Sequence, residues 1–200
     1  LDGKVVSETA SEVMGGNMYA AGYTLVGDDE TTPILDAEGN TIENEVFLNG
    51  CTVSGGESYR NGGNICLAGS SHVYIQNGTV VKDGATLSGT GGGGNIYMGN
   101  ANSRIWITDS TVENGTSGTI GGNIRIGGGR IYADNATITG GTAKNGQSIY
   151  INDIEGAQFF LRSGTISYTG EEAALVDAGV GTLALAAGTV NGFDPSAFLE

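Results

Sequence analysis

The chain has 200 residues, of which 37 are Gly and only 2 are Pro, with 38% hydrophobic residues. Glycine ordinarily contributes about 7%; here the lack of a Gly-X-Y period excludes collagen, and apolar residues spread along the whole chain exclude a disordered Gly-rich linker. Eight Lys plus Arg against 22 Asp plus Glu set a net charge of -14, which excludes binding of nucleic acid or anionic lipid through a broad electrostatic face. No apolar run reaches the roughly 18 residues that span a bilayer, so membrane insertion is not expected. Cys51 and Cys66 are too few for a disulfide framework and lack metal-ligand partners at useful spacing, so both are expected to be free thiols.

Taken in chain order, the elements repeat. Lys4-Val5-Val6 reads as a truncated third strand, which suggests that more protein precedes residue 1. Gly15-Gly16-Asn17-Met18 then opens the first coil with a short strand, Met18-Tyr19-Ala20. Residues 22–44 form an insertion with an acidic run, Asp28-Asp29-Glu30, and a hairpin-like stretch at 34–42. It is read as a solvated hairpin on one face of the molecule, and its acids lack the spacing of known Ca²⁺ loops. Val46-Phe47-Leu48 and Cys51-Thr52-Val53 supply the second and third strands of the coil.

The same order recurs with Gly-Gly-Asn-Ile at 62–65, 93–96 and 121–124, and degraded at 146–149. A small residue followed by Thr-Val or Thr-Ile recurs with Thr at 52, 79, 111, 137, 165 and 189, so the intervals are 27, 32, 26, 28 and 24 residues. Between these marks the hydrophobic period is two, which predicts strands. Each unit has three short strands, the third closed by Gly at 55, 84, 115, 140, 170 and 192. Residues 193–200, with Asp194 before Pro195, are expected to begin a short capping helix.

A unit of this kind cannot bury its apolar face alone, but stacked copies enclose one core. The expected fold is all-β: a parallel β-helix solenoid of about six coils in a single domain, 1–200. Val46, Val73, Ile105, Ile131, Phe159 and Leu183 form one inward ladder, and the small residue before each Thr fills an inward corner. Asn17, Asn64, Asn95 and Asn123 are expected at a tight bend, with φ > 0 and their amides bonded to the next coil.

These motifs resemble the right-handed parallel β-helix superfamily of pectate-lyase-like proteins. Within it they are most similar to non-enzymatic repeat regions of bacterial surface proteins and adhesins. The Gly-Gly-apolar string is also similar to half of the chlamydial polymorphic membrane protein repeat, whose Phe-x-x-Asn half is missing here. The resemblance implies the right-handed winding, an extracellular or bacterial cell-surface location, and membership of a larger polypeptide. It implies a structural or adhesive module with a glycan or a host or surface protein as partner; the alternative is a polysaccharide lyase or hydrolase.

The outward rows carry the candidate chemistry. On the first strand they read Tyr19, Cys66, Tyr97, Arg125 and Tyr150. On the second, one row reads Glu45, His72, Arg104, Arg130 and Gln158, and the next reads Phe47, Tyr74, Trp106, Tyr132 and Phe160, ending at Ala184. The five rings, flanked by Arg104 and Arg130, form a cationic-aromatic strip and are the candidate binding residues. Such a strip suits stacking against sugars or a partner's side chains. It equally suits ring-on-ring stabilisation of the sheet, a face covered by 22–44, or a subunit contact. No catalytic, metal or cofactor site is expected; Asp109 and Asp134 fall near each other, but Asp is an ordinary turn residue. The Gly-rich run 89–94 has no following helix to make a phosphate site, the Asn-x-Thr sequons at 77, 114 and 135 arise from the repeat, and His72 belongs to an outward row.

Overall fold

A computed structural model describes residues 2–4, 14–20, 37, 44–152, 156–167, 176–177, 182–185 and 189–190. Most of the 22–44 insertion and the whole of 193–200 lie outside these residues. The chain winds through three parallel sheets in turn, and among the described residues there is no helix. The Gly-Gly-Asn sheet holds Met18–Ala20, Ile65–Leu67, Ile96–Met98, Ile124–Ile126, Ile149–Ile151 and Val176–Asp177. The aromatic sheet holds Asn44–Asn49, Ser71–Gln76, Arg104–Thr108, Gly129–Asp134, Ala157–Leu161 and Thr182–Leu185. The third, the Thr sheet, includes Thr52–Ser58, Val80–Lys82, Thr111–Glu113, Ala136–Thr139, Gly164–Ser167 and Thr189–Val190. The molecule is a parallel β-solenoid. About four coils are complete among the described residues, rather than six, because parts of the first and last coils lie outside those residues.

Period-two patterning becomes packing directly. Val73, Ile105, Ile131 and Phe159 pair in register and are fully buried, as are Ile65, Ile96, Ile124 and Ile149 on the Gly-Gly-Asn sheet. Val53, Val81, Val112, Ile138 and Ile166 close the third side. Each such side chain stabilises the fold by about 1.5–3 kcal/mol relative to exposure.

Three details differ from the sequence reading. First, Thr79 is not in the Thr ladder: Val80 pairs with Thr52 and Thr111, while Thr79 is buried. Asn77 and Gly78 both take left-handed conformations, at φ 56° and 77°, so the turn holds one residue more than the corresponding turn at Asp109. A one-residue slip exchanges the two faces of a strand. Thr79 tolerates the inward corner because its hydroxyl donates to Leu48 O at 2.9 Å or Gln76 O at 2.7 Å.

Second, the Thr strands do not stop at glycine. Ala85–Thr86 and Thr116–Ser117 continue pairing after the bend, alongside the end of Thr52–Ser58. The bend itself falls on Gly55, Asp83, Asn114 and Gly140, all with positive φ. Third, Asp2–Lys4 does join the Thr sheet, but Lys4 stands beside Glu57 rather than beside Cys51.

The asparagines form a buried hydrogen-bonded column. Asn17 Nδ2 donates to Asn64 Oδ1 at 2.6 Å, Asn64 to Asn95 at 2.7 Å, Asn95 to Asn123 at 2.9 Å, and Asn123 to Ser148 Oγ at 3.0 Å. The expected amide bond to the next coil is therefore present. The expected positive φ belongs instead to the glycine two residues earlier, as at Gly62, Gly93 and Gly121.

Candidate functional site

The aromatic sheet turns Phe47, Tyr74, Trp106, Tyr132 and Phe160 outward in one register. Strands about 4.8 Å apart bring rings on adjacent coils to stacking distance. Phe47–Tyr74 and Tyr74–Trp106 centroids are both 4.7 Å apart with planes 7° from parallel, and Tyr132–Phe160 are 5.1 Å apart at 11°. The stack loosens at one step, Trp106–Tyr132, where the separation is 5.9 Å and the planes diverge by 19°. Within the tighter pairs the facing ring surfaces are spent on one another, and ring edges line the surface. Phe47, at one end, is 58% exposed.

An open depression of about 550 Å³ lies over the loosened step, lined by His72, Asn102, Arg104, Trp106, Tyr132 and Arg162. The His72 ring meets Trp106 edge-on at 5.3 Å. Arg104 Nη1 donates to Ala101 O at 2.9 Å and Ser103 O at 2.7 Å, and the Arg162 guanidinium lies 5.0 Å from the Tyr132 ring centre. Of the sequence-predicted residues, Trp106, Tyr132 and Arg104 come together here. Phe47, Tyr74 and Phe160 belong to the ladder but do not line the depression. Arg130 does not line it either: its Nε donates to Gln158 Oε1 at 2.6 Å. Arg162 takes the place expected of Arg130. It lies two residues after Phe160, so the same period-two rule that selected the rings would have found it. Near the ladder's first end, Tyr74 O–H donates to Glu45 Oε1 at 3.1 Å; partial desolvation, reinforced by that carboxylate, raises the phenol above its usual range.

The other predicted rows behave differently. On the Gly-Gly-Asn sheet, Cys66 is fully buried and Tyr97 and Arg125 are half-buried, although all three occupy the outward parity. The turns after the Thr strands fold back over this face: Arg125 Nη1 donates to Asn61 Oδ1 at 3.0 Å, and its guanidinium also sits 5.2 Å from the Tyr97 ring centre. Burial raises the Tyr97 phenol and lowers the Arg125 guanidinium below its usual range.

Burial likewise pushes the Cys66 thiol up to about 12 from 9.0. Because the thiolate is the nucleophile, maleimide at pH 8 is expected to label half-buried Cys51 first and Cys66 only on unfolding, as read by peptide mapping. The acid form is the one favoured by folding, so this contribution to stability is complete below pH 9 and is lost as pH rises through 12.

Asp109 and Asp134 do not form a carboxylate pair. Asp109 Oδ1 accepts from Asn135 Nδ2 and Asp134 Oδ1 accepts from Ser163 Oγ, each at 2.6 Å, and Asp109 is a turn residue at φ 49°. Among the described residues no group of three or more His, Cys, Asp or Glu is placed to hold a metal ion. The run Gly89–Gly94 leads into the strand Ile96–Met98 rather than a helix.

Fold and surface together define a parallel β-solenoid that carries an external aromatic stack with a basic depression at its centre. Models of known families, curated proteins and solved structures provide no match to the chain.

Proposed function

We propose that the chain is a rigid structural or adhesive module of a secreted or cell-surface bacterial protein, which binds a glycan through the middle of its aromatic ladder. The observation that carries this reading is the opened Trp106–Tyr132 step beneath an accessible depression. At this step a sugar can reach aromatic surface that the closely stacked pairs deny it, with polar side chains around the rim to orient its hydroxyls. The solenoid supplies stiffness, because the interior coils are paired on both sides and the rings stand in one register on five successive strands. Catalysis has no part in the proposal: the one candidate acid pair is engaged in turn hydrogen bonds.

A glycan array tests the reading, with no signal across a broad panel counting against it. On any glycan bound, Trp106→Ala is expected to weaken affinity by about tenfold or more, as for a central aromatic anchor. Phe160→Ala shortens the ladder away from the depression. It is expected to destabilise the fold by about 3 kcal/mol or less while leaving affinity within about twofold. Equal loss of affinity in both variants would assign the rings to stability alone.

A further inference from the structure

We infer that the depression is an anion subsite, and that the glycan it takes carries a carboxylate or sulfate group; this rests on the glycan reading above. The chain has only 8 Lys and Arg among 22 Asp and Glu. In so acidic a protein, basic side chains readily form ion pairs, yet two guanidiniums from different coils line this depression, and neither is ion-paired among the described residues: Asp134, across from Arg162 on the neighbouring strand, is engaged by Ser163 Oγ. Arg104 is held by the neutral carbonyls of Ala101 and Ser103. Arg162 lies against the Tyr132 ring. Both keep donor groups for a further acceptor, since a guanidinium offers five N–H bonds in a planar fork suited to carboxylate and sulfate oxygens.

Two kinds of neighbour add the same sign. Stacked rings turn their edges to the surface, and the edge is the positive end of the ring quadrupole. The side-chain amide of exposed Asn102, on the rim, offers N–H donors. Arg130 marks the limit of the site: equally cationic and on the same sheet, it is bonded to Gln158 and lies outside the depression.

Dextran sulfate and unsubstituted dextran, titrated calorimetrically into the full chain at physiological salt, test the inference, with polyglutamate as a peptide polyanion. The expected result is binding of dextran sulfate, despite the repulsion of a net charge of -14, with dextran at least about tenfold weaker. Arg104→Gln and Arg162→Gln are each expected to weaken binding by about tenfold, and Arg130→Gln by less than about twofold. Arg162→Lys, which keeps the charge but not the planar fork, is expected to fall between. Unchanged thermal midpoints show that the variants are folded; if one is not, the other arginine and the lysine variant decide.

Equal binding of dextran would overturn the anion subsite and leave the glycan reading standing. A loss in Arg130→Gln as large as in the other two would reduce the effect to diffuse charge. Preference for polyglutamate would replace the glycan with an acidic protein segment. Failure of dextran sulfate, dextran and a broad glycan panel alike would remove both readings.

Discussion

Gly94→Ala is expected to destabilise the protein by more than about 4 kcal/mol, enough to leave it largely insoluble or to lower its thermal midpoint by about 10 °C or more. Gly94 does not have positive φ, so strain is not the reason. A Cβ there would fall inside contact distance of Gly122 O and Thr116 N, and within 2.7 Å of Thr116 O. All three are backbone atoms, two of them on the strand Thr116–Ser117 and the third on the next Gly-Gly-Asn turn, and none can swing aside as the end of a side chain would. Separating the coils to admit the methyl group would break the bonds that Gly94 N makes to Gly121 O and Thr116 N makes to Gly84 O. Gly93 is required for the other reason: at φ 71° its Cβ would strike the Ile96 carbonyl. Gly89→Ala is the control, since nothing stands within 4 Å of its Cβ and its φ is ordinary; a change within about 0.5 kcal/mol is expected. Urea or thermal unfolding followed by circular dichroism compares the three.

What the sequence revealed follows from period and repetition. Strand positions, the inward Val73–Ile105–Ile131–Phe159 ladder and the outward ring ladder all came from a period of two, and the register of the aromatic sheet agrees at every described rung. The misreadings arise where a single residue or a distant segment intervenes. Gly78 adds one position to a turn, which moves Thr79 inside and leaves Val80 in the Thr column; the motif spelling survives while its face changes. Cys66 has outward parity but lies beneath turns from elsewhere in the coil, and strand periodicity carries no information about such cover. Arg104 and Arg130 look equivalent in sequence. Their fates differ because Gln158 on the next coil accepts from Arg130, while Arg162 reaches back toward Tyr132. Solenoid architecture is thus readable from spacing, whereas the ligand-facing surface depends on side-chain pairings between coils.

The second large effect is expected at Asn95. Its amide is the middle of the buried column: Nδ2 donates to Glu113 O at 2.7 Å and Asn123 Oδ1 at 2.9 Å, while Oδ1 accepts from Asn64 Nδ2 at 2.7 Å and Gly84 N at 2.9 Å. All four hydrogen-bonding places of the side chain are therefore filled, in a residue with no exposure. Asn95→Ala leaves two buried donors without an acceptor, Gly84 N and one N–H of Asn64 Nδ2, at about 1–3 kcal/mol each. Asn123 Oδ1 and Glu113 O lose one of their donors and keep Gly115 N and Asp83 N; relaxation and entry of water into the space would recover part of the loss. A net loss of about 4 kcal/mol is expected, with the midpoint lowered by roughly 8–16 °C. Asn95→Asp changes the shape less and the chemistry more. The oxygen that replaces Nδ2 then faces Glu113 O and Asn123 Oδ1, both acceptors, so the carboxyl must either ionise against them in a buried site or take up a proton on that oxygen. The folded-state carboxyl is thereby raised above its unfolded value, which makes the variant most stable at low pH and progressively less stable as pH rises through the neutral range. Asn95→Ala has no such group to titrate. If the two variants show the same pH profile, the column is a space-filling device; if only the aspartate variant recovers at acid pH, the directed amide-to-amide chain is what joins one coil to the next.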